Sequence, residues 1–293
     1  MPELICICGP TAAGKTGLAV DMALSLGGEV VSCDSMQVYC GMDIGTAKAT
    51  PEEMRGVRHH MIDVADPRTE DFSVARYVEM AVPIVDDIIA RGKPPIVVGG
   101  TNLYMDSLIK GSVFSDFDRG GIREELNIIA NNPGGAQELF DRLRECDPQS
   151  AEKLHPNDIK RIVRALEVYY LTGKPISLHN EEDLARPARY KAKRIVLSYR
   201  DRDILYDRIN RRVDMMLERG LLKEVESLIN SGLSRSSTAM QAIGYKEFSA
   251  YLEGEVSFEE AVETVKRESR RYAKRQLTWL RRYADAEWRF LDE

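Results

Sequence analysis

The sequence predicts an α/β protein: a doubly wound parallel sheet of the P-loop type, with a helical insertion domain. Three observations support this fold class. A phosphate-binding motif follows a short apolar run near the start of the chain, and strand-like and helix-like segments alternate over the first 110 residues. Such alternation favours a parallel sheet with helices on both faces. The strand signal then disappears and later returns. We therefore expect a core of residues 1–114 and 191–293 and an insertion of residues 115–190.

The motif at residues 9–16 reads GPTAAGKT and matches the diphosphate-binding pattern G-x-x-x-x-G-K-[ST]. It follows the apolar run at residues 4–8 and precedes a helical pattern, which is the context that the motif requires. Its glycines let backbone N–H groups converge on an anion at a helix N-terminus. Lys15 adds a cation, and Thr16 adds a hydroxyl suited to magnesium. The residues predicted to bind a phosphorylated ligand are Gly9, Pro10, Thr11, Ala12, Ala13, Gly14, Lys15 and Thr16.

The other core elements follow from apolar patterning. The runs at residues 29–33 and 95–98 are short and rich in β-branched residues, as buried parallel strands are. Between them, residues 73–90 repeat apolar side chains at helical spacing. A strand-like run returns at residues 194–199, where it could rejoin the sheet. The remainder of the chain after this run is predicted to be helical.

The insertion is predicted to contain three helices, at residues 122–131, 135–146 and 156–172. The third has Pro156 near its start and Gly173 just past its end, the usual asymmetry of helix termini. Polar residues, proline and glycine separate the three segments. We therefore expect a purely helical domain here.

Composition places the chain among ordinary globular proteins, with 43% hydrophobic and 30% charged residues among 293. No apolar stretch approaches the roughly 20 residues that span a bilayer, and the N-terminal apolar run has no basic segment before it. Five cysteines without C-x-x-C spacing indicate reduced thiols. We expect a cytoplasmic protein that does not bind membranes.

Charge is unevenly distributed along the chain. The net charge of −6 arises within residues 1–110, so the remaining residues balance to zero. Within that neutral part, residues 266–282 contain eight basic residues and one acid, Glu268. Such a local basic stripe favours contact with a polyanion, and a solvated helix face is the alternative.

Two strand ends carry candidate chemistry. Asp34 follows the second strand, and ligands of open α/β sheets bind beyond the carboxyl ends of strands. Asp34 could ligate magnesium, accept a proton or simply cap a helix. The run at residues 95–98 leads into Gly99, Gly100 and Thr101, where P-loop NTPases usually place a magnesium-binding acid. This weakens the ATPase interpretation and leaves Thr101 as a substrate or phosphate contact, or as part of a turn.

Taken together, these segments resemble tRNA dimethylallyltransferases, prenyltransferases that modify the adenosine beside the anticodon. The resemblance covers nearly the whole chain, and the run DSMQVY followed by GMDIGTAK is very specific. The absence of a Cys/His zinc-binding extension points to the bacterial type. The matching segments are GPTAAGKT at 9–16, DSMQVYCGMDIGTAK at 34–48, HHMIDVADP at 59–67, VVGGTNLY at 97–104, HPNDIKRIVRALEVYYLTGKP at 155–175, DRINRRVDMMLERGLLKEV at 207–225, QAIGYKE at 241–247 and AKRQLTWLRR at 273–282.

The resemblance implies transfer of a dimethylallyl group from dimethylallyl diphosphate to the exocyclic amine of the adenosine 3′-adjacent to the anticodon of tRNA, with release of pyrophosphate. It implies Asp34 as general base, with Thr101 and Lys15 as further catalytic residues. Mg²⁺ is the expected cofactor, near Thr16. The partner is the tRNA anticodon stem-loop, whose target base would be flipped into a channel. We expect the chain to act as a monomer.

The resemblance also implies ligand contacts. Arg208 and Arg212, one helical turn apart, would supply at least one contact to the diphosphate, with an exposed salt-bridging pair as the alternative. Trp279 could stack on a base or anchor the core. The residues expected to contact tRNA are Asp34, Ser35, Met36, Gln37, Thr101, Arg123, Lys160, Arg161, Ile162, Val163, Arg164, Gln241, Ala242, Ile243, Gly244, Tyr245, Lys246, Lys274, Arg275, Gln276, Trp279 and Arg281.

Other interpretations of the sequence stay open at this stage. A P-loop kinase of a small metabolite would explain the motif and the insertion, but not the basic stripe or the Gly-Gly-Thr strand end. A non-catalytic RNA-binding module would leave Asp34 and Thr101 beside the motif without a role. The adjacent His59 and His60 favour structural hydrogen bonds over a metal site.

Overall fold

The computed structural model describes residues 3–114 and 121–293, and the chain divides into two compact units. The first unit is Met1–Gly111 together with Ala188–Glu293, and the second is Ser112–Pro187. Residue 115, where we expected the insertion to begin, lies outside the described residues. Each unit has its own apolar core.

Within the described residues of the first unit, one sheet of six strands has the order β3-β2-β4-β1-β5-β6. Every neighbouring pair is parallel. The predicted parallel α/β fold is therefore confirmed. The strands are β1 (Glu3–Cys8), β2 (Glu29–Ser32), β3 (His59–His60), β4 (Pro95–Val98), β5 (Lys191–Ser198) and β6 (Glu287–Phe290).

Helices cover this sheet and build the second unit, to which α5 to α9 belong. A short 3₁₀ turn spans Ala239–Gln241. In chain order the α-helices are α1 (Lys15–Leu26), α2 (Pro51–Met54), α3 (Val74–Ala90), α4 (Asn102–Lys110), α5 (Ile122–Ala130), α6 (Gly135–Cys146), α7 (Pro148–Ala151), α8 (Ile159–Thr172), α9 (Ile176–Ala185), α10 (Arg202–Glu218), α11 (Leu221–Asn230), α12 (Tyr245–Leu252) and α13 (Phe258–Leu280).

The P-loop joins β1 to α1 at the centre of the sheet, and two of its glycines are required by geometry. A Cβ on Gly9 would lie 2.5 Å from the carbonyl oxygen of Leu197 on β5, so no side chain fits there. Gly14 precedes α1 with φ of 76°, a left-handed conformation that glycine adopts without strain. These two glycines therefore fix the backbone path of the loop between β1 and α1.

The regular elements that the structure describes in the second unit are all helices, and its core is formed by Leu139, Leu143, Ile162, Val163 and Leu166 with their neighbours. One predicted boundary is wrong. Helix α8 begins at Ile159 and not at residue 156. Residues 155–158 instead form a turn, in which the backbone N–H of His155 donates to the Asp158 carboxylate at 3.2 Å. The predicted C-terminus is confirmed, because Gly173 adopts a left-handed conformation and donates to the Tyr169 carbonyl.

The expectation that the chain is helical after residue 199 is also wrong. Strand β6 pairs in parallel with β5 as an edge strand, and only Trp288 and Phe290 of its four residues are half-buried. Their rings stack on each other at 6.0 Å. The alternation of polar and apolar residues in EWRF was the available signal, but four residues are too few to outweigh the preceding helical pattern.

The two adjacent histidines make structural hydrogen bonds, as predicted. His59 Nδ1 lies 2.8 Å from the Val57 carbonyl oxygen, and His60 Nε2 lies 2.8 Å from the buried carboxylate of Glu29. In the described ranges, no helix is both long and apolar enough to cross a membrane.

Candidate active site

A cavity of about 370 Å³ lies at the carboxyl end of the sheet in the first unit. Its walls come from residues 11–16, 34–37, 45–47, 98–100 and 241–244, with side chains from α10 and α13. The P-loop and the ends of β2 and β4 therefore face the same space. This is the crevice in which ligands of open α/β sheets bind.

The side chain of Lys15 is hydrogen-bonded to backbone carbonyl groups of the P-loop. Its ammonium group donates to the carbonyl oxygens of Gly9 at 3.1 Å and Pro10 at 2.8 Å. The pKa of Lys15 is lowered to about 8, mainly by burial and next by the positive charge of Arg212, while the charge of Asp34 opposes both. The repulsion between Lys15 and Arg212 is the smaller of the two effects that lower the pKa, and an anion placed between the two cations would relieve it.

The two arginines of α10 have different surroundings. Arg212 lines the cavity, and its guanidinium makes no hydrogen bond or ion pair with the parts of the chain that are described. Burial lowers its pKa, an effect that the charge of Asp34 opposes. Arg208 instead donates to the Ala12 carbonyl oxygen at 3.2 Å and lies over the Tyr199 ring. Arg212 is thus the arginine available to a ligand, and Arg208 supports the P-loop.

Asp34 and Thr101 are brought together by the adjacent strands β2 and β4. Asp34 Oδ1 accepts hydrogen bonds from the backbone N–H groups of Met36 at 2.9 Å and Gln37 at 3.4 Å, so it caps the turn that follows it. Its second oxygen accepts no hydrogen bond from any residue in the described ranges. The hydroxyl of Thr101 accepts from the Ser35 N–H at 3.0 Å. One carboxylate oxygen is therefore anchored while the other has no protein partner.

No cluster of three or more His, Cys, Asp or Glu side chains suitable for a metal occurs among the residues described. Thr16 lines the cavity beside Lys15. The hydroxyl of Thr16 can supply one of the ligands of Mg²⁺. The other ligands would be phosphate oxygens and water, because this ion commonly takes only one or two ligands from the protein.

Gln276 was expected to contact tRNA, and its side chain lines the cavity. It is only 4% exposed, and both of its polar atoms bond to the protein. Its oxygen accepts from the Thr11 N–H at 2.9 Å, and its nitrogen donates to the Gly100 carbonyl oxygen at 2.9 Å. Gln276 therefore joins the P-loop to the loop after β4. Its neighbours Tyr272 and Arg275 line the cavity as well, with the guanidinium of Arg275 over the Tyr272 ring.

Glu224 on α11 is a residue that sequence reasoning missed. Its carboxylate accepts from the backbone N–H groups of Asp43, Ile44 and Gly45 at 2.8–3.1 Å and from the Tyr245 hydroxyl at 2.6 Å. It thereby fixes the loop that forms one cavity wall. The three backbone partners lie about 180 positions from Glu224 in sequence, so no local pattern could reveal them.

The residues of the QAIGYK segment, 241–246, differ in their exposure to solvent. Residues 241–244 line the cavity, and Lys246 is exposed. Tyr245 is fully buried, with its hydroxyl on Glu224 and its ring against Gly45. The expected contact of the Tyr245 side chain with tRNA is corrected accordingly: this residue holds the cavity wall.

In the second unit, α8 presents basic residues on one side and core residues on the other. Lys160, Arg161 and Arg164 are exposed, whereas Ile162 and Val163 are 0% and 3% exposed. The last two were expected to contact tRNA, and their burial corrects that expectation for their side chains. Arg123 and Arg164 both pair with Glu167.

Helix α13 carries the basic stripe. Lys274, Arg275 and the cap residue Arg281 are exposed. Trp279 is half-buried, and its indole N–H donates to the Asp106 carboxylate at 2.8 Å. Of the two interpretations of Trp279, the structure favours the anchor, because this bond ties α13 to α4.

A family model described as IPP transferase matches residues 37–283. The chain belongs to this family. It is 51% identical to a protein named tRNA dimethylallyltransferase from Thermoanaerobacter sp. (strain X514), over 99% of this chain and 92% of the relative. A protein of the same name from Acetivibrio thermocellus is 50% identical over 100% of this chain and 93% of its own length. The resemblance to this family of transferases is thus confirmed.

Solved structures of the family agree. The full-length tRNA isopentenylpyrophosphate transferase from Bacillus halodurans superposes with a TM-score of 0.74 at 47% identity, covering 100% of this chain and 91% of that one. A eukaryotic dimethylallyltransferase described as acting on tRNA gives a TM-score of 0.80 at 33% identity, covering 96% and 70%. The family's fold therefore extends over the whole of this chain.

Proposed function

We propose that this IPP transferase family member transfers a dimethylallyl group from dimethylallyl diphosphate to the exocyclic amine of the adenosine 3′-adjacent to the tRNA anticodon, releasing pyrophosphate. The carbon–oxygen bond of the allylic diphosphate breaks, a carbon–nitrogen bond forms, and the amine loses a proton. The observation that carries this proposal is a single cavity in which Lys15 and Arg212 adjoin Asp34. The names of full-length relatives support the same activity.

The cationic side of the cavity suits the leaving group. Cleavage of the allylic bond concentrates negative charge on pyrophosphate, which fixed donors and cations stabilise most where charge develops. P-loop N–H groups, Lys15 and the unpartnered Arg212 provide this environment in one place. An anion bound between Lys15 and Arg212 would also relieve the repulsion that contributes to the lowered pKa of Lys15.

Asp34 is the proposed general base. An adenine amine is a weak nucleophile because its lone pair is delocalised into the ring, so removal of its proton as the bond forms assists attack. The hydrogen bonds from Met36 and Gln37 fix the orientation of the carboxylate through Oδ1. Oδ2, which accepts no hydrogen bond within the described residues, can then take the proton. Thr101, whose hydroxyl accepts from the N–H of Ser35 next to Asp34, is the proposed hydrogen-bond partner of the amine.

Mg²⁺ is proposed as the cofactor, with Thr16 as its protein ligand and the diphosphate oxygens as further ligands. When bound, such an ion neutralises charge on a leaving diphosphate.

The five cysteines all lie in the described ranges and form no disulfide bonds. Free thiols support a reducing compartment such as the cytoplasm. We also propose that the chain acts as a monomer.

The target adenosine must leave its stack to reach the cavity, at a cost of a few kcal/mol. Tyr272 in the cavity wall offers an aromatic face next to the reacting groups. The exposed basic residues supply backbone contacts that offset this cost. They are Lys160 and Arg161 on α8, and Lys274, Arg275 and Arg281 on or beside α13.

Mass spectrometry of tRNA nucleosides after incubation with the protein and dimethylallyl diphosphate tests this function. We expect one adenosine per substrate tRNA to gain a dimethylallyl group. A thermal-shift comparison of ATP, dimethylallyl diphosphate and an anticodon stem-loop separates the kinase and RNA-binding alternatives. Stabilisation by ATP alone, with no modified nucleoside, would refute the proposal.

A further inference from the structure

A buried carboxylate in the second unit joins two arginines from different helices. Glu167 on α8 accepts two hydrogen bonds from Arg123 on α5, from Nε to Oε1 at 2.9 Å and from Nη2 to Oε2 at 2.7 Å. Arg164, one turn earlier on α8, donates Nη1 to Oε2 at 2.5 Å. The two guanidinium groups thus converge on one anion.

The three side chains differ in their access to solvent. The Glu167 side chain is 0% exposed, whereas those of Arg123 and Arg164 are 38% and 47% exposed. A guanidinium carries five N–H donors, so Arg123 keeps about three and Arg164 about four after binding Glu167. Glu167 cannot touch a macromolecule at the surface, and any effect it has on one must act through the arginines.

The carboxylate remains charged in this position. Burial by itself would raise the pKa of Glu167, but the hydrogen bonds from Arg123 and Arg164 outweigh burial and lower the pKa below its usual value. An ionised carboxylate fixes both guanidinium groups through charge-assisted bonds, which restrict flexible side chains more firmly than neutral ones.

We propose that Glu167 is a positioning residue that holds Arg123 and Arg164 as a preformed fork for one backbone phosphate of the RNA substrate. This inference rests on the proposed function. Planar guanidinium groups bind phosphate through paired hydrogen bonds in a fixed direction, which an ammonium does not provide. Lys160 and Arg161, exposed on the same helix, add positive charge and form no ion pair with any residue that the structure describes.

The effect of the Glu167→Gln substitution on RNA affinity distinguishes positioning of the arginines from a simple change in net charge. Glu167→Gln raises the net charge of the protein by one, and a more positive surface should bind RNA more tightly. If Glu167 orients the arginines, the same change frees two long side chains that must then be ordered on binding. RNA affinity should fall by about 5- to 100-fold.

The first experiment measures binding of an anticodon stem-loop to Glu167→Gln at moderate salt, with Glu145→Gln as the matched control. Glu145 is exposed in the same unit, and its substitution makes the same charge change. We expect weaker binding for Glu167→Gln alone, with the KM for dimethylallyl diphosphate unchanged. Equal or tighter binding would overturn the inference. Transfer activity of the wild-type protein tests the proposed function separately.

A double-mutant cycle separates positioning from a general loss of structure. In an Arg123→Gln/Arg164→Gln background, the further change Glu167→Gln should leave RNA affinity unaltered, because its intermediaries are gone. A further loss of affinity there would show that Glu167 acts through the fold, against the inference. If the Glu167→Gln variant does not fold, the double variant Arg123→Lys/Arg164→Lys tests the same proposal. It retains all charges around Glu167, and we expect RNA binding to weaken, whereas wild-type affinity would contradict the proposal.

Discussion

The side-chain oxygen of Gln276 lies 2.9 Å from the backbone nitrogen of Thr11, so a helix near the end of the chain is hydrogen-bonded to the P-loop near its start. The same amide donates to the Gly100 carbonyl oxygen. A Cβ on Gly100 would lie 2.3 Å from that amide nitrogen, which explains the glycine. One buried side chain thus sets the spacing between the phosphate-binding loop and the loop that carries Thr101.

Gln276→Leu should therefore impair both stability and function. It would leave the Thr11 N–H and the Gly100 carbonyl oxygen without their partner, and each buried unsatisfied group costs about 1–3 kcal/mol. We expect a lower melting temperature and a higher KM for dimethylallyl diphosphate. Gln149→Leu, at an exposed residue of the other unit, serves as the control and should change stability by no more than about 0.5 kcal/mol. Unchanged KM in Gln276→Leu would show that the P-loop keeps its geometry without this link.

Lys15→Ala should abolish turnover, because it removes the P-loop's side-chain cation. The pKa of Lys15, about 8 in the free protein, adds a pH dependence. The charged form binds the diphosphate, so affinity should be full below pH 8 and should fall as the pH rises through that value. Calorimetric titration between pH 7 and 9.5 measures this decline. The Lys15→Ala variant should bind the diphosphate weakly, and its affinity should change little over the same pH range. A flat profile for the wild type would exclude Lys15 from diphosphate binding.

Asp34→Ala should lower the single-turnover rate by about 100- to 10,000-fold while leaving substrate affinities close to wild type. The substitution also removes the hydrogen bonds that Asp34 accepts from the N–H groups of Met36 and Gln37. We expect this to lower the free energy of unfolding by about 1 kcal/mol, as for other capping residues. Asp34→Asn separates the two roles, because an amide keeps an oxygen for these bonds but cannot take the proton. If Asp34→Asn turns over at the wild-type rate, Asp34 acts only as a cap.

Local patterns predicted the elements that position the site. The motif around Lys15 and the strand that ends before Asp34 are continuous in sequence, and parallel pairing of β2 with β4 then brings Thr101 near Asp34. Long-range satisfaction of polar groups was not predictable. Gln276 and Tyr245 were expected to contact RNA, but both are buried. Gln276 bonds to two loops far away in the chain, and the Tyr245 hydroxyl bonds to Glu224 on α11.

The last prediction concerns exposed cations that form no ion pair with a carboxylate of the described residues. Lys160→Gln/Arg161→Gln on α8 and Lys274→Gln/Arg281→Gln at α13 each remove two charges that project into solvent. Phosphate contacts are strongly salt-dependent and carry little sequence information. Each double substitution should therefore weaken tRNA binding for cognate and non-cognate stem-loops alike, and should reduce the slope of log affinity against log salt by about 2. Affinity for dimethylallyl diphosphate, measured as the matched control, should stay at the wild-type value because none of the four residues lines the cavity. Should both variants keep the wild-type salt slope, these side chains are solvated surface, and the RNA is held elsewhere on the protein.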